Sequence, residues 1–161
     1  MDRMRTSLFS ILGPLEGLRF LDLFSGSGLV GLEAASRGAG PIDLVELDMK
    51  KKTVIQRNLS WAEEPIRLHM SDVRQFLRKA EETWDIIYLD PPFPLLAKQS
   101  LLETIDQRQL LVPQGSLILH YPGEETLPAQ IGALRQYDHR TYGRSHLVFF
   151  TRDLPDLGDK G

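Results

Sequence analysis

The sequence predicts an α/β fold of three layers, in which helices cover both faces of a mostly parallel, seven-stranded sheet. Short apolar runs typical of buried strands alternate with segments typical of amphipathic helices along most of the chain. Such alternation indicates a parallel sheet. A glycine-rich turn directly after the first apolar run, and two prolines directly after the fourth, mark strand ends where the chain leaves the sheet.

Each element is predicted from the spacing of its apolar residues. The opening segment 2–12 is predicted to be helical because Leu8, Ile11 and Leu12 share one face, and residues 13–17 form a connector. The predicted strands lie near residues 20–24, 42–46, 66–70, 84–89, 115–121, 135–142 and 145–152. The other predicted helices lie near residues 29–37, 49–60, 72–80, 98–109 and 127–134. We expect one domain over residues 1–152, followed by a loose tail over residues 153–161.

Length and composition agree with one compact domain. A chain of 161 residues can bury about 70% of the surface of the extended chain around a single core. The chain has no cysteine, which excludes disulfides and thiolate metal sites, and no apolar run near the roughly 20 residues of a membrane span. We therefore expect a cytoplasmic protein with neither a membrane nor a metal as partner. The formal net charge of −3 argues against a general nucleic-acid binder but is compatible with a local basic face.

The first predicted strand leads into a turn that is typical of nucleotide-binding folds. Gly26, Gly28 and Gly31 form a G-x-G-x-x-G sequence that follows a strand and opens a helix. Glycines permit a tight turn and a close approach of the backbone to a ligand. About twenty residues later the second strand ends at Glu46, whose carboxylate can accept both hydroxyls of a ribose. The pattern predicts a site for a nucleoside cofactor.

Asp22 favours one nucleoside cofactor over another. It lies near the carboxyl end of the first strand, four residues before Gly26, where it faces the ligand. A carboxylate there would repel the pyrophosphate of NAD but attract the ammonium and sulfonium of S-adenosylmethionine, by about 1–4 kcal/mol at contact distance. A structural role is also open, in which Asp22 caps the glycine turn through backbone N–H groups. The charge favours S-adenosylmethionine.

The fourth predicted strand ends in Asp90-Pro91-Pro92-Phe93, the most informative segment of the chain. Prolines fit neither a central strand nor a helix interior, so the chain leaves the sheet in a rigid loop. The loop presents a carboxylate, carbonyls and an aromatic ring, which together suit a planar ring that carries an amine. The alternative is an ordinary strand followed by a proline-rich turn. We predict that Asp90, Pro91, Pro92 and Phe93 are the catalytic residues.

These segments resemble motifs of the class I S-adenosylmethionine-dependent methyltransferases that modify exocyclic amines. The residues that carry this resemblance are 22–28, 45–46 and 90–93.

A narrower resemblance, over residues 2–151, is to the bacterial 16S rRNA (guanine-N2)-methyltransferase family called RsmD. The segments most similar to it are residues 2–9, 31–39 and 142–150. Members usually carry a basic segment ahead of the first helix, where this sequence has Met1. We therefore expect this protein to differ from members of the family in its affinity for RNA more than in the reaction that it catalyses.

The resemblance implies a Rossmann-like fold that closes with an antiparallel hairpin, and methylation of guanine N2 in 16S rRNA. It implies S-adenosylmethionine as the cofactor and 16S rRNA as the partner. Because the chain is acidic and lacks the basic segment, we expect the RNA to be recognised within an assembled or partly assembled small subunit. We expect a monomer. The expected cofactor-binding residues are Asp22, Phe24, Ser25, Gly26, Ser27, Gly28, Glu46, Leu47, Asp72, Val73 and Asp90.

Asp72 follows the third predicted strand and has two interpretations. In a methyltransferase fold this position reaches the adenine edge of the cofactor, and Val73 lines the adenine pocket. Alternatively Asp72 caps the helix that follows, which would stabilise that helix by about 1 kcal/mol. Asp48 is predicted to cap the helix that begins near Met49.

The histidines and several arginines carry weaker signals. The four histidines lack the spacing of a metal site, and His120, at a strand end near the site, is interpreted as a structural histidine with satisfied hydrogen bonds. Arg3, Arg5, Arg140 and Arg144 are equally compatible with an RNA-facing patch and with solvated surface charge.

Methyl transfer to an aromatic amine is an in-line displacement that needs positioning more than a strong base. We expect the Asp90 carboxylate and the Pro91 carbonyl to accept hydrogen bonds from the amine, and Phe93 to stack on an unpaired or flipped base. The loop does not separate guanine N2 from adenine N6 or a glutamine amide. An NAD-dependent oxidoreductase and a non-catalytic binding module are further alternatives, against which Asp22 and the intact proline loop argue.

Overall fold

The computed structural model describes residues 2–62, 65–92 and 95–154. The helices are α1 (Asp2–Leu12), α2 (Leu29–Ser36), α3 (Lys52–Leu59), α4 (Val73–Lys79) and α5 (Leu95–Gln107), with a 3-10 turn at Met49–Lys51. The strands are β1 (Phe20–Asp22), β2 (Ile42–Glu46), β3 (Ile66–Met70), β4 (Trp84–Leu89), β5 (Leu111–Pro122), β6 (Gln130–Ile131), β7 (Leu134–Tyr142) and β8 (Ser145–Arg152). Most of the tail predicted from residue 153 lies outside the described ranges.

Within these ranges the strands form one sheet in the order β3-β2-β1-β4-β5-β8-β7-β6. The strands β1 to β5 pair in parallel, while β8 pairs with both β5 and β7 in antiparallel fashion. This confirms the α/β fold with a parallel portion and an antiparallel closing hairpin. The sheet has eight described strands instead of the predicted seven, because the two-residue β6 extends its antiparallel edge.

Strand β1 lies between β2 and β4, and its register fixes where their ends meet. Asp22 is paired with Leu44 on one side and with Tyr88 on the other. All three strands run in the same direction, so their carboxyl ends lie at one edge of the sheet. The loops that leave this edge carry the glycine turn and the Asp-Pro-Pro segment, which is why the two meet.

Each face of the sheet is covered by its own apolar cluster. One cluster joins the sheet to α4 and α5 through buried residues such as Leu77, Leu102 and Trp84. The other joins the opposite face to α1, α2 and α3 through residues such as Phe9, Ala34 and Ile55. The two clusters confirm the three-layer arrangement. None of the helices in the described ranges is long and apolar enough to cross a membrane.

The prediction of a helix over residues 127–134 is wrong. The segment forms β6, a turn and the start of β7, and the turn at Gly132 has a φ of +60°. Leu127, Ile131 and Leu134 are buried, at a spacing that also fits one face of a helix. Pro128 and the left-handed glycine favour the turn instead, and the Ala133 N–H donates to Asp106 Oδ1 at 3.1 Å.

The other predicted elements are present, with shifted ends in several cases. The segments 2–12, 42–46, 66–70, 84–89 and 145–152 have the predicted bounds. Strand β5 begins earlier than predicted, at Leu111, and its pairing with β4 is interrupted by a register shift between Trp84 and Ile86. Helix α5 also begins earlier than predicted, at Leu95 instead of residue 98.

Helix α1 lies against the closing hairpin. The Tyr142 hydroxyl donates a hydrogen bond to Ser7 Oγ, and the guanidinium of Arg3 lies 5.9 Å from the centre of the Tyr142 ring. Met4 and Leu8 bury the apolar side of the helix in the core. The polar side of α1 therefore borders the hairpin at the same edge of the sheet as the strand ends.

Candidate functional site

Five of the eleven predicted cofactor-binding residues line a cavity of about 340 Å³ at the carboxyl edge of the sheet, whereas Asp22, Ser25, Gly26, Ser27, Gly28 and Asp90 do not line it. The cavity lies between the loops that follow β1, β2, β3 and β4. Its lining residues are Phe24, Glu46, Leu47, Asp48, Lys51, Asp72, Val73, Arg74 and Pro92. Six of the residues predicted for the site line it, whereas Asp48, Lys51 and Arg74 were not predicted to contact a ligand.

The glycine turn after β1 has the backbone that its sequence predicts. Gly26 and Gly28 have φ angles of +58° and +82°, which a residue with a Cβ adopts only at a cost. The Gly28 N–H donates to the Ser25 carbonyl at 2.9 Å, and the Ser27 carbonyl accepts from Asn58 Nδ2 at 2.8 Å. A Cβ on Gly26 would meet no protein atom within 4 Å, so the turn presents its backbone to open space.

Gly31, the third glycine of the motif, has a packing role. A Cβ at this position would lie 2.4 Å from Leu44 Cδ2 in the core. Helix α2 can therefore approach β2 closely only because position 31 carries no side chain. This close packing brings the start of α2 to the edge of the sheet.

Glu46 connects the glycine turn to the end of β2. Its Oε1 accepts the Gly26 N–H at 2.7 Å, and its Oε2 accepts the Asp48 N–H at 2.9 Å. A carboxylate has about four lone-pair sites, so acceptor capacity remains on both oxygens. Glu46 is held in a defined orientation and can still accept two ribose hydroxyls.

Asp72 caps α4 and also lines the cavity. Its Oδ1 accepts the N–H groups of Arg74 and Gln75 at 2.8 and 3.2 Å. The capping interpretation is therefore confirmed, and contact with an adenine remains a prediction that capping does not exclude. Val73 is buried beside it at the wall of the cavity. Asp48 caps the 3-10 turn as predicted, through the Lys50 N–H at 2.9 Å.

Asp22 is buried without a partner. Its side chain is 1% exposed, and neither carboxylate oxygen makes a hydrogen bond. Burial raises the pKa of Asp22 to about 8, with smaller contributions from the negative charges of Asp90 and Glu46. The Phe24 N–H offsets part of this rise in pKa without reaching hydrogen-bond geometry. The alternative role, in which Asp22 caps the glycine turn, is not supported, because neither carboxylate oxygen makes a hydrogen bond.

A second buried acid in the same sheet shows the opposite arrangement. Asp43 is also 1% exposed, but it binds Trp84 Nε1 at 2.9 Å, His69 Nε2 at 2.8 Å and Arg67 Nη2 at 2.8 Å. Burial alone would raise the pKa of Asp43, but these hydrogen bonds outweigh it and lower the pKa. Asp43 is thus satisfied by the protein, whereas Asp22 is mostly protonated near neutral pH and would become negatively charged only beside a positive ligand.

Asp90 stands at the end of β4 with ionisable neighbours. Its side chain is 42% exposed, and its Oδ2 lies 3.1 Å from Nδ1 of His120. The buried amino group of Lys98 lies 5.4 Å from the centre of the Tyr121 ring. Burial lowers the pKa of Lys98, and the negative charge of Asp90 opposes that shift.

The other predicted catalytic residues follow Asp90 in the loop. Pro91 is buried and Pro92 is exposed, while Phe93 lies outside the described residues.

The interpretation of His120 as a satisfied structural histidine is wrong. Both ring nitrogens are buried without a hydrogen bond, because the close approach to Asp90 does not have hydrogen-bond geometry. No local motif marks His120, since its relation to Asp90 arises from the pairing of β4 with β5.

Within the described residues no group of three or more acids or histidines could hold a metal ion.

Two of the four arginines that are compatible with an RNA-facing patch meet at a polar groove. Arg3 and Arg140 line this groove together with Thr6, Ser7, Ser10, Ile11 and Asp138. Arg140 is paired with Asp138 at 2.9 Å, which reduces the positive charge of the groove. Arg5 and Arg144 do not line it.

A family model described as Conserved hypothetical protein 95 matches residues 1–151. The Bacillus subtilis protein named "Putative rRNA methyltransferase YlbH" is 32% identical over 157 residues, which cover 94% of this chain and 85% of the relative. The Escherichia coli "Ribosomal RNA small subunit methyltransferase D" is 30% identical over 129 residues, or 79% of this chain and 65% of the relative. The solved structure "Putative methyltransferase yhhF" from Escherichia coli aligns with a TM-score of 0.84 and 26% identity, over 96% of this chain and 88% of that one.

Replacing Asp22 by Asn is expected to stabilise the ligand-free protein. The folded pKa of about 8 lies above the ordinary 3.8, so the native state retains a proton that the unfolded state releases as the pH rises between these values. The wild type therefore loses stability over that interval, and the Asn variant does not. We expect Asp22→Asn to raise the free energy of unfolding by about 1–3 kcal/mol at about pH 8, and by less at about pH 4.

Urea unfolding at both pH values measures this effect, with Asp43→Asn as the control. The lowered pKa of Asp43 predicts the opposite sign, a loss of stability near neutral pH, because its carboxylate stabilises the native state above its unfolded pKa. A loss of stability in Asp22→Asn that does not depend on pH would contradict the assignment.

Proposed function

We propose that this chain, which belongs to the RsmD-like family of methyltransferases described as Conserved hypothetical protein 95, transfers a methyl group from S-adenosylmethionine to ribosomal RNA. The acceptor is an exocyclic amine of an unpaired base, namely guanine N2 in the 16S rRNA of the small subunit. The rRNA substrate is supported by the names of the relatives, and the amine by the Asp-Pro-Pro loop. The match covers about two thirds of the Escherichia coli relative.

The observation that carries the proposal is the buried, unpartnered carboxylate of Asp22 beside the glycine turn. Burial keeps this carboxyl mostly protonated near neutral pH, because the described residues supply neither a cation nor a hydrogen bond to it. A ligand with an ammonium and a sulfonium would supply that positive charge. A dinucleotide would instead bring the negative charge of its pyrophosphate, so the charge of the site opposes the oxidoreductase alternative.

The residues that line the cavity suit the remaining parts of S-adenosylmethionine. Glu46 is oriented to accept the hydroxyls of its ribose, and Leu47 and Val73 offer apolar surface to the adenine. Asp72 can accept a hydrogen bond from the adenine amine while its Oδ1 caps α4. When bound, the cofactor supplies an electrophilic methyl group on a positively charged sulfur.

Asp90 and the prolines act on the substrate amine. The Asp90 carboxylate and the Pro91 carbonyl accept hydrogen bonds from its N–H groups, which orients the nitrogen lone pair and disperses the positive charge that develops on nitrogen. Exposure of Asp90 at the edge of the sheet leaves it accessible to a flipped base. Phe93 is proposed to stack on that base, as the resemblance implies. Proton loss follows methylation, since the pKa of the amine falls as it becomes a cation.

The experiment that tests the function is transfer of a tritiated methyl group to small ribosomal subunits, followed by nucleoside analysis. We expect labelled N2-methylguanosine. Labelled N6-methyladenosine would assign the adenine alternative, and label in protein would assign a glutamine amide, because each of these groups presents a planar amine to the same loop. Calorimetric binding of NAD but not of S-adenosylmethionine would exclude a methyltransferase.

Glu46→Ala is expected to weaken the binding of S-adenosylmethionine by about 1.5–3 kcal/mol, because charge-assisted hydrogen bonds to the ribose are lost. Calorimetry gives the affinity, and thermal unfolding without ligand gives the separate effect of losing the Gly26 and Asp48 hydrogen bonds. The control is Glu33→Ala, which removes an exposed acid of α2 that binds Ser36 and Arg37. Unchanged affinity in Glu46→Ala would remove Glu46 from the site.

Asp90→Ala is expected to reduce the rate of methyl transfer by at least about a hundredfold, because a preorganised acceptor for the amine is lost. The affinity for S-adenosylmethionine should change little, since we place Asp90 on the substrate side of the site. Single-turnover assays at saturating cofactor measure the rate, and Asp90→Asn, which keeps one acceptor oxygen, should lose less. A variant as fast as the wild type would refute this role.

Small subunits or their assembly intermediates are expected to be methylated faster than protein-free 16S RNA. The net charge is −3, and Arg140 is already paired with Asp138, so few phosphate contacts are available for naked RNA. A particle can add protein surface and a base that is already unpaired, which avoids an unstacking cost of a few kcal/mol. Both substrates, from a strain that lacks the modification, are compared at several salt concentrations. Equal or faster methylation of the free RNA would overturn this preference.

A further inference from the structure

The register of the sheet brings Asp90 and His120 together. Strands β4 and β5 are parallel, and Leu89 is paired with Leu119. The next residues along the two strands therefore lie side by side at the edge where the site is built. His120 Nδ1 is 3.1 Å from Asp90 Oδ2.

His120 differs from other histidines of the described residues. His69 is bound to Asp43, and His146 is bound to the Gly123 carbonyl through Nε2 at 2.6 Å. The side chain of His120 is only 13% exposed, and neither of its ring nitrogens makes a hydrogen bond. A buried polar group without a partner is rare in native proteins and is concentrated where it has a function. The Asp90 carboxylate is the polar group within reach.

The proposed role of Asp90 requires a fixed carboxylate. Its side chain is 42% exposed and can rotate, and the negative charges of Asp22 and Glu46 lie on the same edge of the sheet. An acceptor that has to align an amine must be held by groups that are themselves locked in place by packing. His120 is locked in this way, because Leu147 is its neighbour on β8 and Ile118 precedes it on the same face of β5.

We propose, on the basis of the function proposed above, that His120 is a positioning residue for Asp90. In the complex with the base, the Nδ1–H of His120 donates to Oδ2 of Asp90 and leaves Oδ1 to accept from the amine. Hydrogen bonds of a catalytic site are often badly aligned without substrate and tighten when it binds, which accounts for the present geometry. His120 thereby acts through Asp90 and does not touch the base.

The test is a double-mutant cycle in single-turnover methyl transfer, with Asp90→Ala, His120→Ala and the combined variant. We expect His120→Ala to reduce the rate by about tenfold to about a hundredfold at a temperature where the variant is folded, with unchanged cofactor affinity. In the Asp90→Ala background the same change should have no further effect, because the group that His120 positions is absent. His120→Asn, whose amide N–H can take the place of Nδ1–H, should keep most of the wild-type rate.

Three results would overturn the proposal: a wild-type rate in His120→Ala, equal losses in both backgrounds, or an Asn variant as slow as the Ala variant. Nitrogen-15 chemical shifts of the His120 ring provide a readout that does not need the reaction. We expect the Nδ1–H tautomer in the wild type and its loss in Asp90→Ala. If the wild type methylates no RNA, the proposed function fails, while the tautomer still decides whether His120 is paired with Asp90.

Discussion

The parallel pairing of β1 with both β2 and β4 is the constraint on which the site depends. Asp22 is in register with Leu44 and Tyr88, and two residues further along those neighbouring strands are Glu46 and Asp90. Residues two apart on a strand point to the same face, so the three acids lie on one face at one edge, with Asp22 one pleat deeper than the others. This depth explains why Asp22 is buried while Asp90 remains 42% exposed. Gly31 maintains the arrangement, because it allows α2 to pack against Leu44 of β2.

The two buried carboxylates in this sheet differ in whether the protein supplies hydrogen-bond partners to them. Asp43 binds Arg67, His69 and Trp84 and so joins β2, β3 and β4 on the face that α4 covers. Asp22 has no such partners, although the cost of desolvation is similar. A protein optimised only for stability would pair Asp22 or replace it with an apolar residue. Its retention without a partner is the pattern expected where a site is complementary to a ligand that the folded chain does not itself supply.

The sequence was sufficient to predict those elements whose limits are marked by strong local signals. Strand β4 ends at an acid and two prolines, and β2 ends at Glu46 before a capping aspartate, so both bounds could be predicted. Residues 127–134 misled the prediction because Leu127, Ile131 and Leu134 have helical spacing and are buried, yet they belong to a turn and a hairpin. The positions of Glu46 and Asp72 at the cavity followed from strand ends. His120 could not be predicted as a neighbour of Asp90, because only the register of β5 brings them together.

The acidic residues at this edge would also affect the release of the products. The negative charges of Asp90 and Glu46 oppose ionisation of Asp22 and contribute to its raised pKa. On the proposed function, the positive sulfur of the cofactor relieves the repulsion while the methyl group is still attached. A product without that positive charge would deprive the carboxylates of one favourable interaction at the moment when the products must leave. Binding energy that depends on a charge consumed by the reaction favours substrate over product, so in the proposed reaction the unpartnered Asp22 would promote release as well as binding.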